Sequence, residues 1–351
     1  MKIENINNIK KVFNKKNFNN TESCPICNNL ANQTYKGMKG YVEGEIFDIY
    51  ECIKCEASFV NPLKSPLHAY EHIYNQVDKI PGYERYYRYS KLVKMFSQPL
   101  DILANSENVY WSVREALQNN FKDTVTVEQK KNIKILEVGS GLGYLSYSLN
   151  RAGYNAVGLD ISVSAVAKAA DSYGDFYEAG DLFDIAKSRA GKYDCVIMTE
   201  LIEHVEDPVS FIKASLSLLN EGGKLIVTTP NKSNSPKDYE WGSDAPSVHL
   251  WWMSEKTLST IADSLNKKYK FLDFTGYTSK YYEPIEFASI KDMEVGLPRI
   301  RQDGSIVHGT DDGILKKILG IRGRFIASYI RRRLKEKRVS SRTSTLCVVF
   351  Y

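Results

Sequence analysis

Three groups of residues in this chain of 351 have the types and spacing to do chemistry. The first is "LEVGSGLGY", where Glu137 precedes Gly139, Gly141 and Gly143. Glycines spaced in this way after an apolar run let the backbone turn tightly and leave its N–H groups open to a ligand. The second is "TELIEHVEDP", which carries Glu200, Glu203 and His204, with His249 further on in "PSVHLWWMS". Imidazole, with an ordinary pKa near ~6.5, is suited to take a proton at neutral pH. His204 heads the catalytic candidates, with His249 and Glu203 beside it. The third is a pair of C-x-x-C motifs, "CPIC" at 24–27 and "CIKC" at 52–55.

Each C-x-x-C can hold one tetrahedral ion through two thiolates on a tight turn. Cys24, Cys27, Cys52 and Cys55 together read as a zinc ribbon. Its Zn2+ would be coordinatively closed and structural, folding a module too short to build its own core. A redox disulfide pair is the alternative, but such motifs come singly beside a βαβ unit. Cys195 and Cys347 fall in apolar, strand-like runs and are expected to be core.

Elements must position these groups. "KILEV" reads as a strand, "YLSYSLNR" as a helix and "AVGLD" as a second strand ending in Asp160. Asp160 is placed to accept hydrogen bonds from two ribose hydroxyls. The dinucleotide fingerprint G-x-G-x-x-G would need glycine at 144, where Tyr stands, and a carboxylate at 137 would repel a pyrophosphate. It would favour a ligand with a positive amino group and a sulfonium. The glycine loop alone also fits an ordinary strand-to-helix turn or a nucleotide oxidoreductase. Further on come Gly180-Asp181-Leu182 after a third strand and "YDCVIM" as a buried fourth. A helix follows, with Asp207 as N-cap and Pro208 at its first position, and "GGKLIVTTP" supplies a fifth strand. "KYKFLDFTGYT" reads as the sixth strand and "TSTLCVVFY" as the seventh.

In this order, over residues 130–232, the motifs resemble the class I S-adenosylmethionine-dependent methyltransferases, whose first motif reads E-x-G-x-G-x-G. The resemblance implies an α/β fold: a Rossmann-like seven-stranded sheet with helices on both faces, here preceded by the small zinc ribbon. It implies that Glu137, Gly139, Ser140, Gly141, Asp160, Ile161, Asp181 and Leu182 bind S-adenosyl-L-methionine. Asp181 would accept from the adenine amino group, with the next apolar residue on the ring. E-x-x-E-H also resembles the segment of ubiquinone-pathway O-methyltransferases associated with a divalent ion, so Glu200, Glu203 and His204 are open to a metal reading. E-H-V occurs equally in metal-free members of the superfamily.

The expected organisation is a loose leader over 1–20, the zinc module over 21–65, a tyrosine-rich helical segment over 66–129 and the methyltransferase domain over 130–351. A large insertion, about 281–343, separates the last two strands, where hairpin loops are usually short. Within "HIYNQ" and "YERYY" the helical segment offers contacts to the cofactor's polar end, with nothing to choose among them. The formal charge of +5 is local in origin: residues 314–338 hold ten Lys or Arg and one Glu. A basic amphipathic stretch of this kind reads as a solvated helix, or as binding an anionic membrane, a partner or nucleic acid. Its Gly320 and Gly323 would weaken a continuous helix. Reduced cysteines and the lack of a signal-like N-terminus suggest the cytoplasm, with the inner face of the membrane as a further location.

A zinc module ahead of this core resembles bacterial methyltransferases of deoxysugar and surface-polysaccharide biosynthesis. That resemblance implies O-methylation of a sugar or glycan, and Trp251 and Trp252 beside His249 could face a sugar ring or be core. An RNA methyltransferase is the alternative enzyme, although no N-P-P-Y-type motif follows the fourth strand. A zinc-stabilised binding protein that keeps the cofactor fold without catalysis is the alternative from another class.

Overall fold

A computed structural model describes residues 20–80, 83–122, 126–234, 246–282, 299–307 and 314–351. Most of the expected leader lies outside these residues, as do parts of the insertion, 283–298 and 308–313. Two sheets organise the chain. The N-terminal strands are β1 (Thr21–Ser23), β2 (Leu30–Lys39), β3 (Ile46–Cys52) and β4 (Ser58–Asn61). Five helices follow: α1 (Leu67–Asn75), α2 (Glu84–Leu92), α3 (Pro99–Ser106), α4 (Asn108–Asn120) and α5 (Val127–Lys131). The alternating part begins with β5 (Lys134–Val138), α6 (Tyr144–Arg151), β6 (Asn155–Asp160), α7 (Val163–Tyr173) and β7 (Tyr177–Ala179). It continues through α8 (Leu182–Ser188), β8 (Tyr193–Thr199), α9 (Pro208–Ser217), β9 (Leu219–Pro230), β10 (Trp251–Trp252), α10 (Glu255–Ser264) and β11 (Tyr269–Phe271). Last come α11 (Thr275–Thr278), α12 (Ile314–Leu334) and β12 (Thr345–Phe350).

The larger sheet has seven strands in the order β11-β12-β9-β8-β5-β6-β7. β7, β6, β5, β8 and β9 run parallel, while β12 is antiparallel to both β9 and β11. This is the Rossmann-like sheet with helices on both faces that the motif order implies. Strands of such a sheet are covered on both sides, so alternate side chains enter different cores. In β12, Leu346, Val348 and Phe350 join one apolar cluster, with Ile212 and Leu258 of α9 and α10. Cys347 and Val349 join the other, with Leu103, Val113 and Leu149 of α3, α4 and α6. Cys195 and Cys347 are both buried, which pushes their thiols above the usual range. The helix after β8 starts as its sequence dictates: Asp207 accepts from the Ser210 N–H at 3.0 Å and Pro208 takes the first position.

One local expectation gives way, and one open alternative is decided. In "KYKFLDFTGYT" only Tyr269–Phe271 pair as strand. Asp273 accepts the Thr275 N–H at 2.7 Å and starts the short helix α11 instead. Trp251 and Trp252 are not an exposed sugar platform. They form β10, antiparallel to β4, and complete the smaller sheet β1-β2-β3-β4-β10. Both rings are buried, and Trp251 lies 5.6 Å from Phe59 between centroids. The N-terminal module therefore takes its last strand from beyond β9 and shares a core with the large sheet.

Candidate functional site

β5 ends at Val138, and the chain must then turn sharply to enter α6. Gly139, Gly141 and Gly143 all adopt positive φ there, a conformation glycine reaches without strain. Gly141 shows why a side chain is excluded. A Cβ on it would come 2.9 Å from the Tyr74 hydroxyl of α1, and its N–H donates to Asp160 Oδ2 at 2.7 Å. Asp160, at the end of β6, also accepts the Ser162 N–H on Oδ1 at 2.9 Å. Burial raises the Asp160 carboxyl above the usual range and these N–H groups oppose that shift. Glu137 is fully buried, and burial pushes its carboxyl up to about 8 although the Ser146 hydroxyl donates to it at 2.5 Å. An acid held in this way at the floor of a cleft is suited to a cationic group that would pull it into its charged form.

On the far side, Asp181 caps α8 by accepting the Phe183 N–H at 2.7 Å. Leu182 is buried beneath it. Among the apolar side chains that line the cleft, the exposed ones include Ile161, 55% exposed, and Phe183, 39% exposed, whose ring meets Phe211 edge-on. α1 covers the glycine loop and is tied to α7, where Ser164 donates to Glu71 at 2.5 Å and Lys168 donates to the Tyr74 carbonyl at 2.8 Å.

β8 delivers the other half of the site. Glu200 follows it with φ 49°, unusual for a side chain larger than glycine and of the kind that functional sites retain. Thr228 Oγ1 donates to its carboxylate at 3.1 Å. A short turn, Ile202–His204, then points Glu203 and His204 inward. Glu203 is buried and accepts from Thr229 Oγ1 at 2.9 Å. His204 Nδ1 lies 2.6 Å from the Val248 carbonyl. A carbonyl can only accept, so Nδ1 carries the proton and Nε2 is the basic nitrogen of the neutral ring. Three backbone-directed bonds hold the strand with His249 against this turn: that bond, Leu250 N–H to the Glu203 carbonyl at 2.8 Å, and Trp251 Nε1 to the Val205 carbonyl at 2.8 Å. The His204 and His249 rings meet edge-on with centroids 4.6 Å apart. Ligand atoms of Glu203, His204 and His249 all lie within 4.8 Å of one another, a spacing that also admits a divalent ion.

Every candidate cofactor and catalytic residue named from the sequence lines one cleft of about 1080 Å³ at the carboxyl ends of the parallel strands. Others line it that sequence reasoning did not single out. Among them are Tyr74, Arg85, Tyr86, Tyr89 and Glu107 from α1, α2 and the start of α4, and Ser328, Arg331 and Arg332 from α12. Tyr89 donates to Glu107 at 2.7 Å, and Arg85 donates to the Tyr86 hydroxyl at 2.7 Å. Tyrosine-rich helices were legible as such, but only packing selects which rings face the cleft.

The cysteines form a second site. Cys24 and Cys55 Sγ lie 3.6 Å apart, Cys27 and Cys52 Sγ 3.4 Å, and all four within 4.8 Å. A tetrahedron of ~2.3 Å metal–sulfur bonds has edges of about 3.8 Å, so this donor set fits a zinc ion. The two turns match in pattern. Cys24 and Cys52 each donate their N–H five residues ahead, to Asn29 and Ala57, and Asn28 and Glu56 each close the turn with positive φ. The Lys54 and Cys55 N–H groups point at Cys52 Sγ from 3.4 and 3.5 Å, which favours a thiolate there. Burial raises the Cys52 thiol, and the hydrogen bond with Cys24, then burial, raises that of Cys55, an opposing effect that a cation at the centre would reverse.

Residues 110–267 match the family model described as a methyltransferase domain. The ubiquinone biosynthesis O-methyltransferase of Xanthomonas axonopodis pv. citri (strain 306) is 35% identical over 105 residues, 28% of this chain and 44% of that one. The enzyme of the same name from Acinetobacter baumannii (strain AYE) is 33% identical over 112 residues, 30% of this chain and 46% of that one. The chain thus spans less than half the length of these curated relatives. A SAM-dependent methyltransferase of Thermotoga maritima, at 14% identity, superposes with a TM-score of 0.43 over 81% of this chain and 98% of its own.

Proposed function

We propose that this chain, whose residues 110–267 form a class I S-adenosylmethionine-dependent methyltransferase domain, methylates a hydroxyl oxygen. The observation that carries the reading is the His204–His249 pair. It stands in the same cleft as the glycine loop, with His204 Nδ1 committed to the Val248 carbonyl. Bound in the cleft, S-adenosylmethionine would supply an already activated methyl group, so the chain's work is positioning and proton removal. Glu137 would hold the positive amino end, Asp160 the ribose, and Asp181 the adenine edge, with Ile161 and Phe183 against the ring. His204 Nε2 would take the acceptor's proton. Glu203, 3.9 Å from that nitrogen, would stabilise the imidazolium that forms, and His249 would orient the acceptor hydroxyl.

For the acceptor we favour a sugar or glycan hydroxyl. The buried tryptophans lend this no support. What supports it is the polar lining that the cleft adds to the histidines: Glu107, Asn108, Glu206 and Asp207. A phenolic hydroxyl is the second reading, because the curated relatives are named for ubiquinone biosynthesis and tyrosine rings line the cleft. The four cysteines would hold one structural Zn2+. The test is incubation with methyl-labelled cofactor against nucleotide sugars, glycan extracts, catechol-type phenols and RNA. Label on an ether oxygen of a sugar supports the favoured reading. Label on a phenol supports the second, and transfer to RNA alone overturns both.

A further inference from the structure

α12 presents two faces. Its inner face closes the cleft. Arg332 donates to the Asn105 and Ser106 carbonyls and to the Tyr277 hydroxyl, and lies over the Tyr277 and Tyr281 rings. Phe325 packs edge-on against Phe96 with centroids 5.8 Å apart, and against Tyr329 one turn on. The backbone leaves helical geometry at Gly320, so the run that presents these groups begins just after it. The outer face is apolar. Ile326, Ile330 and Leu334 are 45%, 48% and 80% exposed. Spaced i, i+4, i+8, they form one stripe. Arg322 and Arg333 flank it on one side and Arg331 on the other, all exposed, and Lys335 and Arg338 follow beyond its end.

Packing on the domain reaches the flanks, where Arg322 lies over the Phe96 ring and Arg333 over those of Tyr281 and Tyr329, but it leaves the three aliphatic side chains uncovered. Three exposed aliphatic side chains in line, bordered by cations on both sides, match a surface that is apolar inside and negative at its rim. We propose that α12 docks on a lipid bilayer bearing anionic headgroups, with Ile326, Ile330 and Leu334 in the acyl boundary and the flanking arginines on the headgroups. No helix among the described residues is long and apolar enough to cross a membrane, so the contact is peripheral. Ser328, Arg331 and Arg332 of the same helix line the cleft, so docking would hold the cleft mouth beside the headgroups. This goes beyond the methyl-transfer reading and does not depend on it.

The test is co-sedimentation of the full chain with vesicles of phosphatidylcholine alone or mixed with phosphatidylglycerol, at low and high salt, with no methyl acceptor present. Each cation that reaches the leaflet strengthens binding about fivefold, and salt screens that term. The expected result is binding to the anionic vesicles at least tenfold tighter than to neutral ones, weakened by salt. The variant Ile326→Asp/Ile330→Asp should bind at least tenfold more weakly while keeping wild-type cofactor affinity. If that variant fails to fold, Leu334→Asp at the helix end serves instead. Equal or negligible binding to both vesicles overturns the proposal. So does undiminished binding by a folded variant, or salt-sensitive capture of RNA with none on vesicles.

Discussion

The buried carboxyl of Glu137 should act on stability and on cofactor binding with opposite signs. Its pKa lies at about 8 in the folded chain against an ordinary value of 4.5. Between those values the folded chain holds a proton that the unfolded chain has released. The unfolded state binds fewer protons, so stability is fullest below pH 4.5 and falls as pH rises through 8. The slope is about 1.4 kcal/mol per pH unit, and the loss over the whole interval about 5 kcal/mol. Glu137→Gln still accepts the Ser146 hydroxyl but cannot ionise. The stability of the variant minus that of the wild type should therefore grow by about 1.4 kcal/mol per unit between roughly pH 5.5 and 7.5. Denaturant melts of both proteins at three pH values measure it, and other titrating groups cancel in the difference. A difference that stays flat with pH refutes the reasoning. Binding should show the cost of that stabilisation. At pH 7 roughly nine in ten free molecules hold the proton, so docking a positive amino group should expel about 0.9 proton per site. Calorimetry in buffers of unlike ionisation enthalpy reads this directly. The variant should expel none from this group and bind at least tenfold more weakly.

His204→Ala should lower turnover by about 10²–10⁴-fold with cofactor affinity unchanged, the range for losing a general base. A loss below tenfold, measured with labelled cofactor, moves the proton to His249. Elemental analysis of protein purified under reducing conditions should find one zinc per chain, and Cys24→Ser should lose it together with thermal stability. Protein without zinc in that measurement removes the metal from the cysteine cluster.

Local patterns were legible, and long-range pairings were not. Glu137, the glycine loop, Asp160 and the Asp207–Pro208 cap declare themselves because each depends on neighbours within a few residues. The inner strands, such as Tyr193–Thr199 and Thr345–Phe350, were readable because a doubly covered strand is largely apolar, whichever fold it joins. The four cysteines were readable from spacing alone. By contrast, "FTGYT" carries a strand-like composition, and one carboxylate, Asp273, turns it into a helix. Tyr74, Tyr86 and Tyr89 sit on helices that were expected, but which rings face the cleft follows from how α1 seats on α7 and how α2 packs against Tyr110 of α4 and Tyr144 of α6. The meeting of His204 with His249 depends on β10 pairing with β4, nearly two hundred residues earlier in the chain, and no periodicity announces that pairing.

β10 also explains why the small module and the histidine turn form one unit. A sheet as small as β1–β4 buries little apolar surface of its own. Trp251 and Trp252 supply it, each ring carrying on the order of 150–250 Å², and both come from the strand that fixes Glu203, His204 and Val205. Further ties converge on the second cysteine turn. Thr257 Oγ1 donates to the Cys55 carbonyl at 2.9 Å, and Lys232 donates to the Glu56 carbonyl and the Ser58 hydroxyl at 2.8 and 2.7 Å. Lys232 also pairs with Glu51 of β3 at 3.3 Å. The two parts share one packing unit: the tryptophans join Met38, Phe47, Ile49 and Phe59 of the module in one core, and β10 pairs with β4 next to the histidine turn. On the proposed reading, the cysteine cluster would bear on catalysis through the position of an imidazole and not through any chemistry of its own.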